Sequence, residues 1–166
     1  MPVSLYQTTI PVFVKYLSNL LKLIEKGNTH AAQKKISATR LLHAKLAPDM
    51  FTFTKQVQYS YFMALETAVN LSGRPMPKFA YDEKTVEDLK LSLKRAIAFL
   101  KKIKPAEFNS VSKRKVKTFL YPKKKIGREQ YVLMFALPNF FFHVTTAYDI
   151  LRHVGVPLKK EDYLGV

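Results

Sequence analysis

Apolar residues recur three and four positions apart along most of this chain, the spacing that gives a helix one buried face. Ile10, Phe13, Val14, Leu17, Leu20, Leu21 and Ile24 form the first stripe, with Lys15, Asn19, Lys22 and Glu25 on the opposite side. The spacing predicts a helix from about Thr9 to Lys26, capped by Thr9 and ended by Gly27. Pro11 then falls in its first turn, where a missing N–H is tolerated. Ala31 to Lys35 and Ala38 to Leu46 read as short helices, the second with Ser37 as N-cap.

A second long stripe, Phe53, Val57, Tyr61, Ala64, Ala68 and Leu71, predicts a helix from about Met50 to Leu71. Asp49 would cap it, and Gly73-Arg74-Pro75-Met76-Pro77 would break it. Thr85-Val86-Glu87-Asp88 resembles a capping box, and Val86, Leu89, Leu93, Ala96, Ile97, Leu100 and Ile103 continue from it until Pro105. Its acids gather at the start and Lys101, Lys102 and Lys104 at the end, as the helix dipole prefers. Residues 113–126 lose the helical period and read as a small β-hairpin or an extended loop. The last helix should start near Arg128, bend or restart at Pro138, bury Phe140, Val144, Ala147 and Leu151, and end at Gly155. Four long helices of matched length predict an all-α bundle, one domain over residues 1–166.

Composition narrows the chemistry. Hydrophobic residues make up 48% of the 166, enough for a substantial core. Cysteine is absent, which excludes disulfides, thiolate nucleophiles and thiolate metal ligands. The longest apolar run, Tyr131 to Phe142 with Pro138 and Asn139 inside it, falls short of the roughly 20 residues a membrane span requires. Met1-Pro2-Val3-Ser4 carries none of the features of a secretory signal, and a cytoplasmic protein is expected. The net charge of +16 favours anionic partners. Lysine is nevertheless scattered over every segment, as on a generally solvated surface. Lys113, Arg114, Lys115, Lys117, Lys123, Lys124 and Lys125, with Phe119 and Tyr121 among them, are the one basic and aromatic cluster suited to nucleic acid or an anionic surface. No helix-turn-helix, RNP or OB pattern accompanies them, and a charged hairpin edge also resists aggregation.

Phosphate-binding loops, dinucleotide fingerprints, nucleophile elbows and H-E-x-x-H are all missing. His30 and His43 have no partner at ligand spacing, and His153 sits in a last helical turn, where a cation meets unpaired carbonyls. His143 differs. Asn139, His143, Thr146 and Ile150 fall on one line along the flank of the last helix, with Asn139 and His143 roughly 6 Å apart at Cβ. Two readings are open for His143: a core histidine hydrogen-bonded to Asn139 or Thr146, or one facing a ligand in a cleft. On the first reading His143→Ala costs about 1–3 kcal/mol through an unpaired neighbour.

Leu46-Ala47-Pro48-Asp49-Met50-Phe51, Lys55-Gln56-Val57-Gln58 and the run from Phe135 to Tyr148 (F-A-L-P-N-F-F-F-H-V-T-T-A-Y) resemble an uncharacterised branch of the DinB/YfiT-like proteins. The resemblance spans essentially the whole chain. It implies a four-helix bundle of the DinB type and a homodimer. Better-studied members hold a metal with three histidines, one on the second helix and two on the fourth, and several are thiol-dependent transferases or isomerases. On that scheme His143 occupies the last ligand position, Asn139 the one before it, and Gln56 the second-helix position. Two imidazoles are thus replaced by amides, which bind zinc or nickel poorly. No metal or other cofactor is expected, and His143 is the one plausible ligand for a divalent ion. Three functions follow as alternatives: a small-molecule-binding module using Gln56, Asn139, His143 and Thr146; a metal-dependent thiol-transferase-like enzyme using His143; or a binder of nucleic acid or anionic surfaces through 113–125. The expected partners are a second copy of the chain and an unidentified small molecule, with no membrane.

Overall fold

A computed structural model of the chain describes residues 3–110, 115–118 and 125–166. The helices are α1 (Leu5–Gln33), α2 (Ala38–His43), α3 (Phe53–Ser72), α4 (Val86–Lys101), α5 (Pro105–Ser110), α6 (Arg128–Tyr131), α7 (Leu137–His153) and α8 (Lys160–Leu164). One π-helical turn, Val132–Ala136, joins α6 to α7. Among the described residues there is no sheet, only isolated antiparallel bridges at Lys45–Thr52 and Val116–Ile126. The architecture is an all-α bundle of α1, α3, α4 and α6–α7, with α3 packed along α7 and α1 along α4.

The apolar stripes build its core. Phe13, Leu17, Leu20 and Ile24 of α1 are fully buried with Phe53, Val57, Tyr61 and Leu71 of α3. Leu89, Leu93 and Leu100 of α4 and Phe140, Ala147 and Leu151 of α7 complete the same cluster.

Several boundaries differ from the sequence expectation. Helix α1 starts at Leu5, not Thr9, because Ser4 and Gln7 form a reciprocal capping box. Pro11 therefore lies inside the helix on its exposed side and leaves the Gln7 carbonyl without its usual donor. Gly27 does not end α1; a Cβ there would stand 3.0 Å from Leu151 Cδ2, so this glycine permits close packing of α1 on α7. The helix runs on to Gln33, and Lys35 at φ +55° turns the chain while Ile36 N–H bonds Ala31 O at 2.8 Å.

Helix α3 is capped by Thr52, not Asp49. Pro48 and Asp49 occupy the middle of a turn closed by Met50 N–H to Ala47 O at 3.0 Å, the place proline's fixed φ suits. Ser37 and Thr85 cap α2 and α4 as expected. Pro105 opens α5 after α4 has ended. Pro138 falls in the first turn of α7, directly after the π turn. Proline cannot donate to the fourth residue back, and the π turn just before it widens the register, with Leu137 N–H bonding Val132 O. Of the expected hairpin, Val116 and Ile126 form a two-bond bridge at 2.9 and 3.0 Å. Lys113, Arg114, Phe119, Tyr121, Lys123 and Lys124 lie outside the described residues.

Candidate functional site

Helices α3 and α7 pack along each other, and Gln56 near the start of α3 meets His143, the seventh residue of α7. Gln56 is 1% exposed and His143 7%. Gln56 Oε1 lies 2.7 Å from His143 Nδ1. An amide oxygen only accepts, so Nδ1 carries the proton and Nε2 the lone pair. Burial pushes the His143 pKa down to about 4, and the ring is neutral at ordinary pH.

The other two residues of the expected set do not join this bond. Thr146, 4% exposed, donates its hydroxyl to Phe142 O one turn back at 2.7 Å, a common outcome for a mid-helix threonine. Asn139 is half-buried, and no hydrogen bond among the described residues joins it to His143 or Gln56. Neither expected partner thus satisfies the histidine. Side chains four apart on one helix project side by side, whereas a residue on the facing helix can approach the ring end-on.

Among the described residues three aromatic rings surround His143. Tyr59 lies 5.2 Å away, Phe142 meets it edge-on at 5.3 Å, and Phe51 stacks at 6.5 Å. Phe51 also stacks on Tyr59 at 4.9 Å. The turn through Pro48 and Asp49 presents Phe51, so the L-A-P-D-M-F segment forms one wall of the site instead of a helix start. Phe51 and Phe142 keep 46% and 54% of their surface exposed. Beyond Tyr59 opens a cavity of about 250 Å³, lined by Lys55, Gln58, Phe62 and Tyr81 as well.

A second polar set backs this wall. Gln58 donates to Tyr81 O at 3.0 Å and Glu83 Oε2 at 2.6 Å, and Tyr61 donates to Glu83 Oε1 at 2.7 Å. Burial raises the Glu83 pKa, but hydrogen bonds from Ser92, Tyr61 and Gln58 outweigh it and hold the group low. Gln58 Oε1 and the Tyr81 hydroxyl are buried with no partner among the described residues. Tyr81 itself holds φ at +55°, an uncommon conformation for a bulky residue. The sequence reading missed Gln58, Tyr81 and Glu83, although Gln56 and Gln58, two apart on a helix, must face different neighbours.

The donor set does not fit a three-histidine metal centre. Gln56 Oε1 and His143 Nδ1 are occupied with each other, and no group of three His, Cys, Asp or Glu among the described residues could hold an ion. Of the basic segment, Lys115, Lys117 and Lys125 are exposed beside the Val116–Ile126 bridge. No helix among the described residues is long and apolar enough to cross a membrane.

Residues 5–164 match the family described as a domain of unknown function (DUF1993). The chain belongs to that family. It is also similar to a crystal structure of a DinB family member from Shewanella denitrificans, at 32% identity and a TM-score of 0.92 over 98% of this chain and 92% of the other. No curated protein matches. This DUF1993 chain is therefore a DinB-like bundle throughout the matched region.

Proposed function

We propose that this protein is a small-molecule-binding module whose cleft beside His143 works without a metal. The observation that carries the reading is the buried Gln56–His143 bond, which commits the amide oxygen and Nδ1 to each other and leaves a neutral Nε2 as an acceptor. The walls of Phe51, Tyr59 and Phe142 suit a flat, uncharged ligand that donates one hydrogen bond. Ligand-observed NMR with neutral aromatic and heteroaromatic fragments tests it. Fragments should bind the wild type and lose binding in His143→Gln and Tyr59→Ala. Equal binding to all three proteins, or to none, rejects the site.

The metal arm is separate. Protein purified without added metal should contain far less than one equivalent of zinc or nickel. A stoichiometric metal that vanishes in His143→Ala would replace this reading with the metal-dependent one. We also propose a homodimer in the cytoplasm, supported for self-association by exposed Leu133, Met134 and Phe142 on the last helical segment. Light scattering should give twice the 19.1 kDa chain mass, and the monomer mass at tens of micromolar would refute it.

A further inference from the structure

Three of the four histidines, which show no common spacing in the sequence, line one cleft of about 720 Å³ where α1, α2 and α7 come together. His30 comes from α1, Arg40 and His43 from α2, Lys45 from the following loop, and His153 from the last turn of α7. None of the lining residues is acidic, and among the described residues none of these five side chains is in an ion pair. The cleft lies about 15 Å along α7 from His143 by helical rise.

A purely structural role for the histidines would be to neutralise the carbonyl ends of α1 and α7. The backbone already closes both ends. Lys34 N–H bonds His30 O and Ile36 N–H bonds Ala31 O; Val154 N–H bonds Ile150 O and Val156 N–H bonds Leu151 O, all between 2.8 and 3.0 Å. The rings of His30 and His153 make no hydrogen bond among the described residues. His43 donates Nδ1–H to Thr39 O at 2.9 Å.

We propose that this cleft binds a small organic phosphate. The Arg40 guanidinium can grip two oxygens of one oxyanion, and Lys45 adds a point charge. The three imidazoles add ring N–H donors for the remaining oxygens. Ala31, Leu41 and Val156 give the cleft an apolar side for the organic body of the ligand. The volume lies within the range of small-molecule sites.

The test uses phenyl phosphate on the full chain at pH 6.5 and constant ionic strength, read by calorimetry and by the imidazole C2–H lines in NMR. Phenyl phosphate should bind at least tenfold tighter than sulfate or benzoate. It should move the lines of His30, His43 and His153 to saturation and leave that of His143 in place. Arg40 and Lys45 are both exposed, so Arg40→Gln with Lys45→Gln should fold and lose at least tenfold in affinity. Lys94→Gln with Lys101→Gln on exposed α4 positions removes the same charge and should change nothing. Equal binding of the three anions, equal loss in the two double variants, or histidine lines that do not move would overturn the proposal. Tighter binding of benzoate would assign the cleft to carboxylates and overturn it as well.

Discussion

Replacing His143 by alanine tests which group satisfies the buried imidazole. Gln56 is 1% exposed, so losing the ring strands its amide oxygen away from water, at about 1–3 kcal/mol. Lost ring contacts with Tyr59 and Phe142 add to this, and about 3 kcal/mol in all is expected. Gln56→Ala strands the Nδ1–H instead and should cost about 2 kcal/mol. Removing both partners strands neither, so the double variant should cost about 1–2 kcal/mol less than the two single losses together. Asn139 is half-buried and outside the bond, and Asn139→Ala should cost under about 0.5 kcal/mol. Urea unfolding at pH 7.5, where the ring is neutral, provides all four numbers by linear extrapolation. An Asn139→Ala loss as large as that of Gln56→Ala, or additive losses at 56 and 143, would refute the pairing.

Titration should affect stability from two sides. His143 falls from an unfolded value of 6.5 to about 4, so its contribution is present above pH 6.5 and is lost as pH drops toward 4, about 3 kcal/mol in full. Glu66 is pushed up by burial from 4.5 to about 7, so its contribution is present below pH 4.5 and is lost as pH rises through 7. Glu66→Gln should therefore stabilise the protein at pH 8 by about 1–3 kcal/mol, and an unchanged urea midpoint there would contradict this. Arg128 is 5% exposed and donates to Phe108 O at 2.7 Å and Leu71 O at 2.8 Å; Arg128→Ala should cost about 3 kcal/mol by urea unfolding. Lys35→Gly relieves a φ of +55° and should stabilise by about 1 kcal/mol, seen as a Tm rise of about 2–4 °C.

Helix existence was readable wherever a buried stripe ran for several turns, because burial on one face imposes the period. Phe13–Leu17–Leu20–Ile24 and Phe140–Val144–Ala147–Leu151 both lie in the core as their spacing implies. Ends were less readable, since a cap is one hydrogen bond and several residues can make it. Thr9 and Asp49 have capping chemistry, but Ser4 and Thr52 make the bonds. Asp49 is held in a turn by Pro48, and Thr9 bonds Leu5 O from within the helix. Gly27 shows the same ambiguity: glycine ends helices, and it also lets two helices touch. Helices α5 and α8 were not foreseen; six or five residues carry little period, and the equally short α2 was marked by its N-cap Ser37.

The candidate site divides along a similar line. Two amides and one imidazole could be picked out from residue type and motif, but their pairing depends on how α3 and α7 register. Gln56 was named only through the resemblance, and it is the residue that reaches His143. Asn139 and Thr146 share a line with His143, yet a line on one helix sets which residues face a neighbour, not which atoms bond. The histidines at 30, 43 and 153 make the stronger case. They sit on three helices, and no spacing rule applied to one helix at a time can join them. Their meeting follows from where α1, α2 and α7 stop: the turn at Lys35 reverses the chain, and Gly155 at φ +91° ends the run after α7. A positive-φ lysine is costly unless something around it holds the turn, and here the turn at Lys35 sets the wall that carries Arg40 and His43. Relieving that strain with Lys35→Gly while phenyl phosphate affinity stays unchanged would mean that the cleft needs the path of the chain and not the lysine itself.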